Sequence, residues 1–259
     1  MNMIFATVCI GEDRRSDTMH LLNDLRNLDC NVFVLTNINL HLDHFQFSNV
    51  IEKKIETSFW TDFQRFEIIK LAFEETKSDY VYYLDCDSRF VDFRIEKFNI
   101  QKFEKKISEI DFDVLCPLFL SQAKNQLEKP IEDEDKNKRG FTFGYEEVIN
   151  FFKKNNNSYE LDLNNQAPLE TVLIFKRSEN MQLYLSKLID FSKILILEEI
   201  KNNRKQIAPA CGFAMTMLKN VFNIKIVESP AVYHFFKGNF LKEVFPFNFK
   251  ININEKLFD

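Results

Sequence analysis

Two aspartates separated by one residue follow a hydrophobic segment in the first half of the chain. Asp85 and Asp87 come directly after Tyr80–Leu84, a run of apolar and aromatic residues. In an extended chain, side chains two apart point the same way, so these carboxylates would lie side by side. Like charges at that range oppose each other's ionisation unless a cation lies between them. Because Mg²⁺ and Mn²⁺ prefer oxygen ligands, often shared with substrate phosphates, the spacing predicts a divalent-cation site.

The segments around this pair predict an α/β fold. Strand patterns at 3–11, 31–37, 49–56 and 79–85 alternate with helical patterns at 16–28 and 61–77. Such alternation is typical of a largely parallel sheet that is covered on both faces. Ligands of open α/β sheets bind outside the carboxyl ends of the strands. Asp85, Asp87 and the turn after the first strand are therefore predicted to lie at a binding cleft.

The second half of the chain has a mixed pattern. A polar, charged stretch at 121–140 is predicted to be an exposed loop. It is followed by a helix at 144–154, a strand at 170–177, a helix at 179–203 and strands at 224–230 and 244–254. The last strand contains a proline, which predicts an edge position. Since no repeat or linker interrupts the pattern, we expect a single domain, 1–259.

Composition and charge exclude several classes of protein. The 259 residues are 45% hydrophobic, enough for a substantial core, and the net charge of -5 lacks the basic surface of a nucleic-acid-binding protein. Five scattered cysteines without a CxxC spacing predict buried thiols in a reducing compartment rather than a disulfide framework or a zinc site. Neither a signal peptide nor a transmembrane segment is expected, so the predicted location is the cytoplasm, with peripheral membrane contact left open.

A second group of candidate residues lies near the carboxyl end of the chain, in the sequence VYHFFKGNF. His234 is a candidate third metal ligand, since an imidazole suits Mn²⁺ better than it suits Mg²⁺. Lys237 and Gly238 supply a cation and a flexible backbone of the kind used against phosphate oxygens. The alternative is a core histidine packed between Tyr233 and Phe235.

The sequence FWTDFQRFEII…SDYVYYLDCDSRF, residues 59–90, resembles the GT-A glycosyltransferases of the blood-group A/B type, which transfer α-galactosyl and α-N-acetylgalactosaminyl groups, and their bacterial relatives. The matching positions are Trp60, Asp62, Arg65, Asp79, Tyr80, Asp85, Asp87 and Phe90. The HFFKG sequence is similar to the histidine-containing tail of glycogenin-type retaining transferases, with one residue more than their usual spacing. The acceptor-region run His-Asp-Glu-Ser of the blood-group type has no acidic counterpart in IAPACGFAMTML.

The resemblance implies a single GT-A domain, a Rossmann-like, mixed and mostly parallel sheet flanked by helices. Residues 1–92 would be the nucleotide-binding half, and 93–259 the acceptor-binding half with its tail. The activity implied is metal-dependent transfer of a hexose from a UDP-sugar to a glycan or other hydroxyl acceptor, with retention. Mn²⁺, or Mg²⁺, would be held by Asp85, Asp87 and His234. The implied nucleotide contacts are Thr7, Val8, Cys9, Gly11, Asp62, Arg65, Asp85, Cys86, Lys237 and Gly238.

Two residues are candidates for catalytic roles. Glu170 is the candidate carboxylate beside the anomeric carbon, with a surface position at a strand edge as the alternative. Lys237 would direct positive charge at the leaving diphosphate, a role in which Arg65 could join it.

Three other functions remain to be weighed. A non-catalytic nucleotide-sugar-binding protein of the same fold would explain the poorly matched second half. A phosphatase of the haloacid dehalogenase type also has a DxD after a strand, but Arg89 stands where that class normally has Thr or Val. A sugar-phosphate nucleotidyltransferase needs a glycine-rich loop after the first strand, whereas CIGEDRRSD has a single glycine.

Overall fold

Strands and helices alternate along the first part of the chain, as the sequence predicts. The computed structural model describes residues 2–26, 31–45, 47–56, 63–88, 100–116, 118–122, 166–168, 172–201 and 211–228. Its strands are β1 Met3–Cys9, β2 Val32–Thr36, β3 Val50–Lys54, β4 Tyr80–Leu84, β5 Val114–Cys116, β6 Leu118–Gln122, β7 Gln166–Pro168, β8 Val172–Lys176 and β9 Ile226–Glu228. Its α-helices are α1 Arg15–Arg26, α2 Gln64–Glu75, α3 Ile100–Ser108, α4 Glu179–Lys201 and α5 Cys211–Lys219, and short 3₁₀ helices span Glu12–Arg14 and Leu42–Phe45.

Seven of the described strands form one mixed sheet in the order β3-β2-β1-β4-β8-β5-β9. The first four in that order are mutually parallel, β8 runs antiparallel to both of its neighbours, and β5 pairs with β9 in parallel. The described strands β6 and β7 form a separate antiparallel pair. The predicted α/β class, with a mixed and mostly parallel sheet flanked by helices, is confirmed.

The order of the strands reverses between β1 and β4. Helix α1 follows β1 and leads to β2 on one side, whereas α2 lies between β3 and β4 in sequence, and β4 pairs on the other side of β1. The two helices cover opposite faces of the sheet: Leu21, Leu22 and Leu25 of α1 pack with Phe5, while Phe66, Ile69 and Phe73 of α2 pack with Ile4. The carboxyl ends of β1 and β4 therefore form a topological switch point, where α/β proteins bind ligands.

Strands β1 and β4 are buried along their whole length because helices cover both faces of the sheet at its centre. This explains their continuous apolar sequences, which are typical of the interior strands of parallel sheets. Cys9, Cys86 and Cys116 are buried and form no disulfide bond, so the prediction of buried thiols is confirmed for these three.

Arg177, directly after β8, fixes the carboxyl end of α2. Its guanidinium donates to the main-chain oxygens of Phe73, Thr76 and Ser78 at 2.6–2.8 Å, and its Cζ lies 4.9 Å from the centroid of the Phe73 ring. A cation at this position satisfies carbonyl groups that a helix end leaves without intrahelical partners. The contact holds α2 and the start of β4 in place, and with them the strand that ends at Asp85.

Several predicted boundaries differ from the structure. Helix α2 begins at Gln64, with Phe63 as an N-cap that has no side-chain capping bond, rather than at residue 61. Ser121 and Gln122, the first residues of the predicted loop, belong to β6. The predicted helix at 144–154 and strand at 244–254 lie outside the described residues. Among the helices of the described segments, none is long and apolar enough to cross a membrane.

Candidate functional site

A cleft of about 190 Å³ opens at the carboxyl ends of β1 and β4. It is lined by Val8, Arg14, Tyr83, Asp85, Cys86 and Asp87. The cleft coincides with the switch point of the sheet, so the predicted position of the aspartate pair agrees with the structure. Its volume is below the roughly 300–1,000 Å³ of pockets that enclose a whole ligand, so these residues contact only part of a nucleotide-sized molecule.

The turn after β1 brings a cation to this cleft. Gly11 has φ 89° and ψ 150°, a conformation that is essentially restricted to glycine, and its N–H donates to Asn37 Oδ1 at 2.9 Å. Asn37 follows β2, so the turn is tied to the neighbouring strand. The short 3₁₀ helix Glu12–Arg14 then places Arg14 beside the turn that follows β4.

The aspartate pair lies on a turn and not in an extended strand. Strand β4 ends at Leu84, and the Ser88 N–H donates to the main-chain oxygen of Asp85 at 2.9 Å, which closes a β-turn. The prediction of two parallel side chains on an extended backbone is therefore wrong in its geometry. The side chain of Asp85 is 22% exposed and that of Asp87 is 45% exposed, so the turn gives the two carboxylates different environments.

Asp85 is held from the core side by two residues. The Tyr83 hydroxyl donates to Asp85 Oδ1 at 2.7 Å, and Arg65 Nη2 lies 3.5 Å from the same oxygen. The guanidinium also lies over the Tyr83 ring, 5.6 Å from its centroid. Burial raises the pKa of the Asp85 carboxyl above its ordinary value, and the nearby charge of Asp87 adds to this, while the Arg65 charge and the Tyr83 hydrogen bond lower the pKa.

Arg65 is only 4% exposed, so its positive charge acts on the cleft through Asp85. This ion pair places Arg65 beside Asp85, whereas its predicted contact with a nucleotide stays a prediction. Both contacts that the structure gives Asp85 within the described residues use Oδ1.

Asp87 has a different cationic neighbour, Arg14, whose Nη1 lies 3.6 Å from Asp87 Oδ2. Arg14 is shared with Asp13, at 3.8 Å, and with Asp17, at 4.0 Å. All three distances exceed the 2.7–2.9 Å of a charge-assisted hydrogen bond, so these are loose ion pairs. Arg14 and Tyr83 were not among the predicted site residues.

Cys86 stands between the two aspartates in sequence and has a strongly perturbed thiol. Burial, followed by the charges of Asp85 and Asp87, raises the pKa of Cys86 to about 12. The thiol therefore stays protonated at neutral pH, which makes it a poor nucleophile and a poor metal ligand. A contact of Cys86 with a nucleotide would involve its main chain or a neutral S–H group.

Of the predicted contacts on β1, Val8 lines the cleft. Thr7 and Cys9 are 0% exposed, and Cys9 packs with Leu21 and Leu22 on the α1 side of the sheet. Both residues are fully buried in this arrangement, so their contact with a nucleotide stays a prediction. Gly11 contributes the conformation of the turn described above.

The carboxylates of Asp85 and Asp87 are the candidate metal ligands among the described residues, and their chemistry suits an ion that prefers oxygen ligands. Among the residues that the structure describes, no group of three or more His, Cys, Asp or Glu side chains could hold an ion. Two carboxylates that line the same cleft, those of Asp85 and Asp87, suit an ion of the Mg²⁺ type, which takes one or two carboxylates and completes its shell with substrate phosphates and water. The predicted residues Asp62, Glu170, His234, Lys237 and Gly238 lie outside the described segments.

Comparisons with known proteins give likeness of fold only. No protein-family model and no curated protein matches the chain. Among solved structures, the chain aligns with the WbbM bifunctional glycosyltransferase at 11% identity and a TM-score of 0.47, covering 88% of this chain and 39% of that one. It aligns with GlyE, a glycosyltransferase of Streptococcus pneumoniae, at 12% identity and a TM-score of 0.41, covering 88% and 45%.

A Bacillus anthracis protein, provisionally named a glucose-1-phosphate thymidylyltransferase, aligns at 8% identity and a TM-score of 0.41 over 90% of this chain and 88% of that one. This chain thus spans less than half the length of the two glycosyltransferases.

Proposed function

We propose that this chain is a metal-dependent glycosyltransferase that moves a hexose from a UDP-sugar to a glycan or another hydroxyl acceptor. The observation that carries the proposal is the pair Asp85 and Asp87 at the switch point of the sheet, one anchored and one exposed, with Arg65 and Arg14 beside them. Anionic and cationic groups at one cleft suit a ligand that brings both a cation and phosphates.

Glycosyl transfer from a sugar diphosphate can use these groups to stabilise the leaving nucleotide. Breaking a sugar–diphosphate bond builds negative charge on the leaving nucleotide. Mn²⁺ or Mg²⁺ bound by Asp85 and Asp87 would supply Lewis-acid stabilisation of that charge. Arg65 and Tyr83 hold Asp85 Oδ1, so the other carboxylate oxygen is oriented before any ligand arrives.

Each of the two ion pairs that involve the aspartates, Asp85 with Arg65 and Asp87 with Arg14, has a formal charge of zero. A divalent cation together with a diphosphate would keep that local balance close to neutral. Either component alone would disturb it, which favours binding of the two together.

The donor and the stereochemistry are supported by the resemblance of residues 59–90 to the blood-group A/B type transferases. The similarity of HFFKG to the glycogenin-type tail supports His234 as the third metal ligand. Lys237 and Gly238 would contact the diphosphate, and Glu170 would lie beside the anomeric carbon. Retention predicts an α-linked product from an α-linked donor. The NMR coupling constant of the product's anomeric proton tests this, and a β-linked product would exclude it.

The deciding experiment measures UDP binding by calorimetry with Mn²⁺ and with EDTA. We expect the wild-type protein to bind UDP in a Mn²⁺-dependent way and Asp87→Asn to lose the Mn²⁺-dependent part, with an unchanged melting temperature because Asp87 is 45% exposed. Asp111→Asn is the matched control, since Asp111 is an exposed partner of Lys225 away from the cleft. Equal UDP affinity of wild type and Asp87→Asn, with and without EDTA, would exclude the proposed site.

Catalysis is separated from simple binding by a panel of UDP-sugars. Slow Mn²⁺-dependent hydrolysis of one donor in the absence of acceptor is the result expected of a transferase. Binding without hydrolysis or transfer of any donor in the panel would instead identify a non-catalytic nucleotide-sugar-binding protein.

A further inference from the structure

We propose that Arg14 is an exchangeable cation, which neutralises Asp87 while no metal ion is bound and contacts the diphosphate once the ion has taken Asp87. This inference rests on the proposed function and adds a ligand-contacting residue to it. It also predicts that Arg14 affects the binding of metal and the binding of nucleotide in opposite directions.

Among the residues that the structure describes, the carboxylate partners of Arg14 all lie beyond the distance of a charge-assisted hydrogen bond. Its three carboxylate neighbours, Asp13, Asp17 and Asp87, lie at 3.8, 4.0 and 3.6 Å, and the side chain is 46% exposed. The next residue, Arg15, is held firmly by comparison, with Nη2 2.9 Å from Glu12 Oε1 and 2.7 Å from the main-chain oxygen of Asn39. Arg14 can therefore change its partner at little cost, whereas Arg15 cannot.

Arg65 shows why the exchange is confined to one of the two aspartates. Its side chain is 4% exposed and lies against both Asp85 and the Tyr83 ring. Moving this guanidinium away would leave a buried carboxylate without its cation, which is strongly unfavourable. Asp85 thus keeps its cation when the site fills, while the partly exposed pair of Arg14 and Asp87 can open.

The opposite effects follow from the signs of the charges. A divalent ion at Asp87 replaces Arg14 there and is repelled by it, so Arg14 weakens the binding of the ion alone. A diphosphate brings negative charge to the same cleft, and a guanidinium matches phosphate oxygens with two parallel N–H donors. Once the nucleotide is present, Arg14 gains a stronger partner than any of its three loose carboxylate contacts.

The test compares Arg14→Gln with Arg15→Gln, which removes the same charge from the adjacent position. Electron paramagnetic resonance measures the concentration of free Mn²⁺ during a titration with MnCl₂, and so reports binding of the ion alone. Calorimetry with UDP at saturating Mn²⁺ reports binding of the nucleotide. Neither readout depends on activity.

For Arg14→Gln we expect about two- to tenfold tighter binding of Mn²⁺ alone, the range set by the loss of a partly exposed ion pair and of a like charge beside the ion. UDP binding at saturating Mn²⁺ should weaken about ten- to hundredfold, because hydrogen bonds to charged phosphate oxygens are lost. Arg15→Gln should change either affinity by less than about twofold, because the Arg15 guanidinium binds Glu12 and the main-chain oxygen of Asn39.

The outcomes separate the two proposals. Changes of both affinities in the same direction in Arg14→Gln, or equal changes in Arg15→Gln, would overturn the exchange while leaving the metal-dependent nucleotide site intact. If the wild-type protein binds neither Mn²⁺ nor UDP, the proposed function fails and the role of Arg14 fails with it.

Discussion

Replacing Tyr83 with phenylalanine removes one hydroxyl group from beneath the cleft and tests how Asp85 is prepared for a ligand. The Tyr83 ring is 1% exposed and packs in the core, and phenylalanine keeps that ring and its contact with Arg65. What disappears is the 2.7 Å hydrogen bond to Asp85 Oδ1. The substitution therefore changes the carboxylate without changing the packing around it.

The size of the effect follows from the kind of hydrogen bond that is lost. A hydrogen bond to a charged acceptor contributes about 1.5–3 kcal/mol, and the 22% exposure of Asp85 favours the lower end of that range. About 1.4 kcal/mol corresponds to a tenfold change in affinity, so we expect Tyr83→Phe to weaken Mn²⁺ binding about tenfold, in line with other residues that orient metal ligands.

The effect has a distinctive pH dependence. The pKa of Asp85 is already raised by burial, and the Tyr83 hydrogen bond is one of the interactions that lower it, so its removal raises the pKa further. Because a proton and a metal ion compete for the same carboxylate, the variant should lose more affinity at pH 5 than at pH 8. In the metal-free protein, the pKa of Asp85 is higher in the folded state than in the unfolded state. Its contribution to stability is therefore fully present at a pH below the unfolded-state pKa and is lost as the pH rises through the folded-state pKa.

Calorimetric titration with MnCl₂ across this pH range is the assay, with Tyr82→Phe as the control. Tyr82 belongs to the same strand but packs on the opposite face of the sheet, against Phe5. If Tyr83→Phe and the wild-type protein have the same Mn²⁺ affinity and the same pH profile, the Tyr83 hydroxyl does not orient a metal ligand.

Two further predictions concern the framework of the site. Arg177→Met should lower the free energy of unfolding by about 3 kcal/mol, since three main-chain oxygens lose a charged donor. The affinity for UDP per folded molecule should stay unchanged. Urea unfolding and calorimetry test this, and an unaltered urea midpoint would contradict it. Gly11→Ala should cost about 1–3 kcal/mol because φ 89° with ψ 150° is strained for alanine, and because the new Cβ would lie 2.6 Å from Asp13 Oδ1. It should also weaken Mn²⁺-dependent UDP binding by displacing Arg14, and full stability with full affinity would show that the turn tolerates another conformation.

The arrangement of the first four strands could be predicted from the sequence because it depends on local patterns. Apolar runs and helical periodicity define β1, α1, β2, β3, α2 and β4, and their alternation implies parallel neighbours. The position of Asp85 at a carboxyl edge follows from that order alone. The direction of β8 does not, since Val172–Lys176 is an apolar run that would suit a parallel or an antiparallel interior strand equally well.

The conformation of the aspartate pair depends on contacts that periodicity does not contain. One main-chain hydrogen bond, from Ser88 N–H to the oxygen of Asp85, turns the chain where an extended strand was predicted. Tyr83 could have been found, since it stands two residues before Asp85 and alternation places both on one face of the strand. Its role as a donor to Asp85 requires the side-chain geometry.

Arg14 is the clearest case of a site residue set by tertiary structure. It is separated from Asp87 by more than seventy residues, and the two meet because β1 and β4 are parallel neighbours whose following turns lie at the same edge of the sheet. Given the predicted strand order, any cation in the turn after β1 is a candidate partner for a carboxylate after β4. The sequence offers two such cations, and only the three-dimensional contacts distinguish them: Arg15 is bound to Glu12 and to Asn39, which leaves Arg14 to face the cleft.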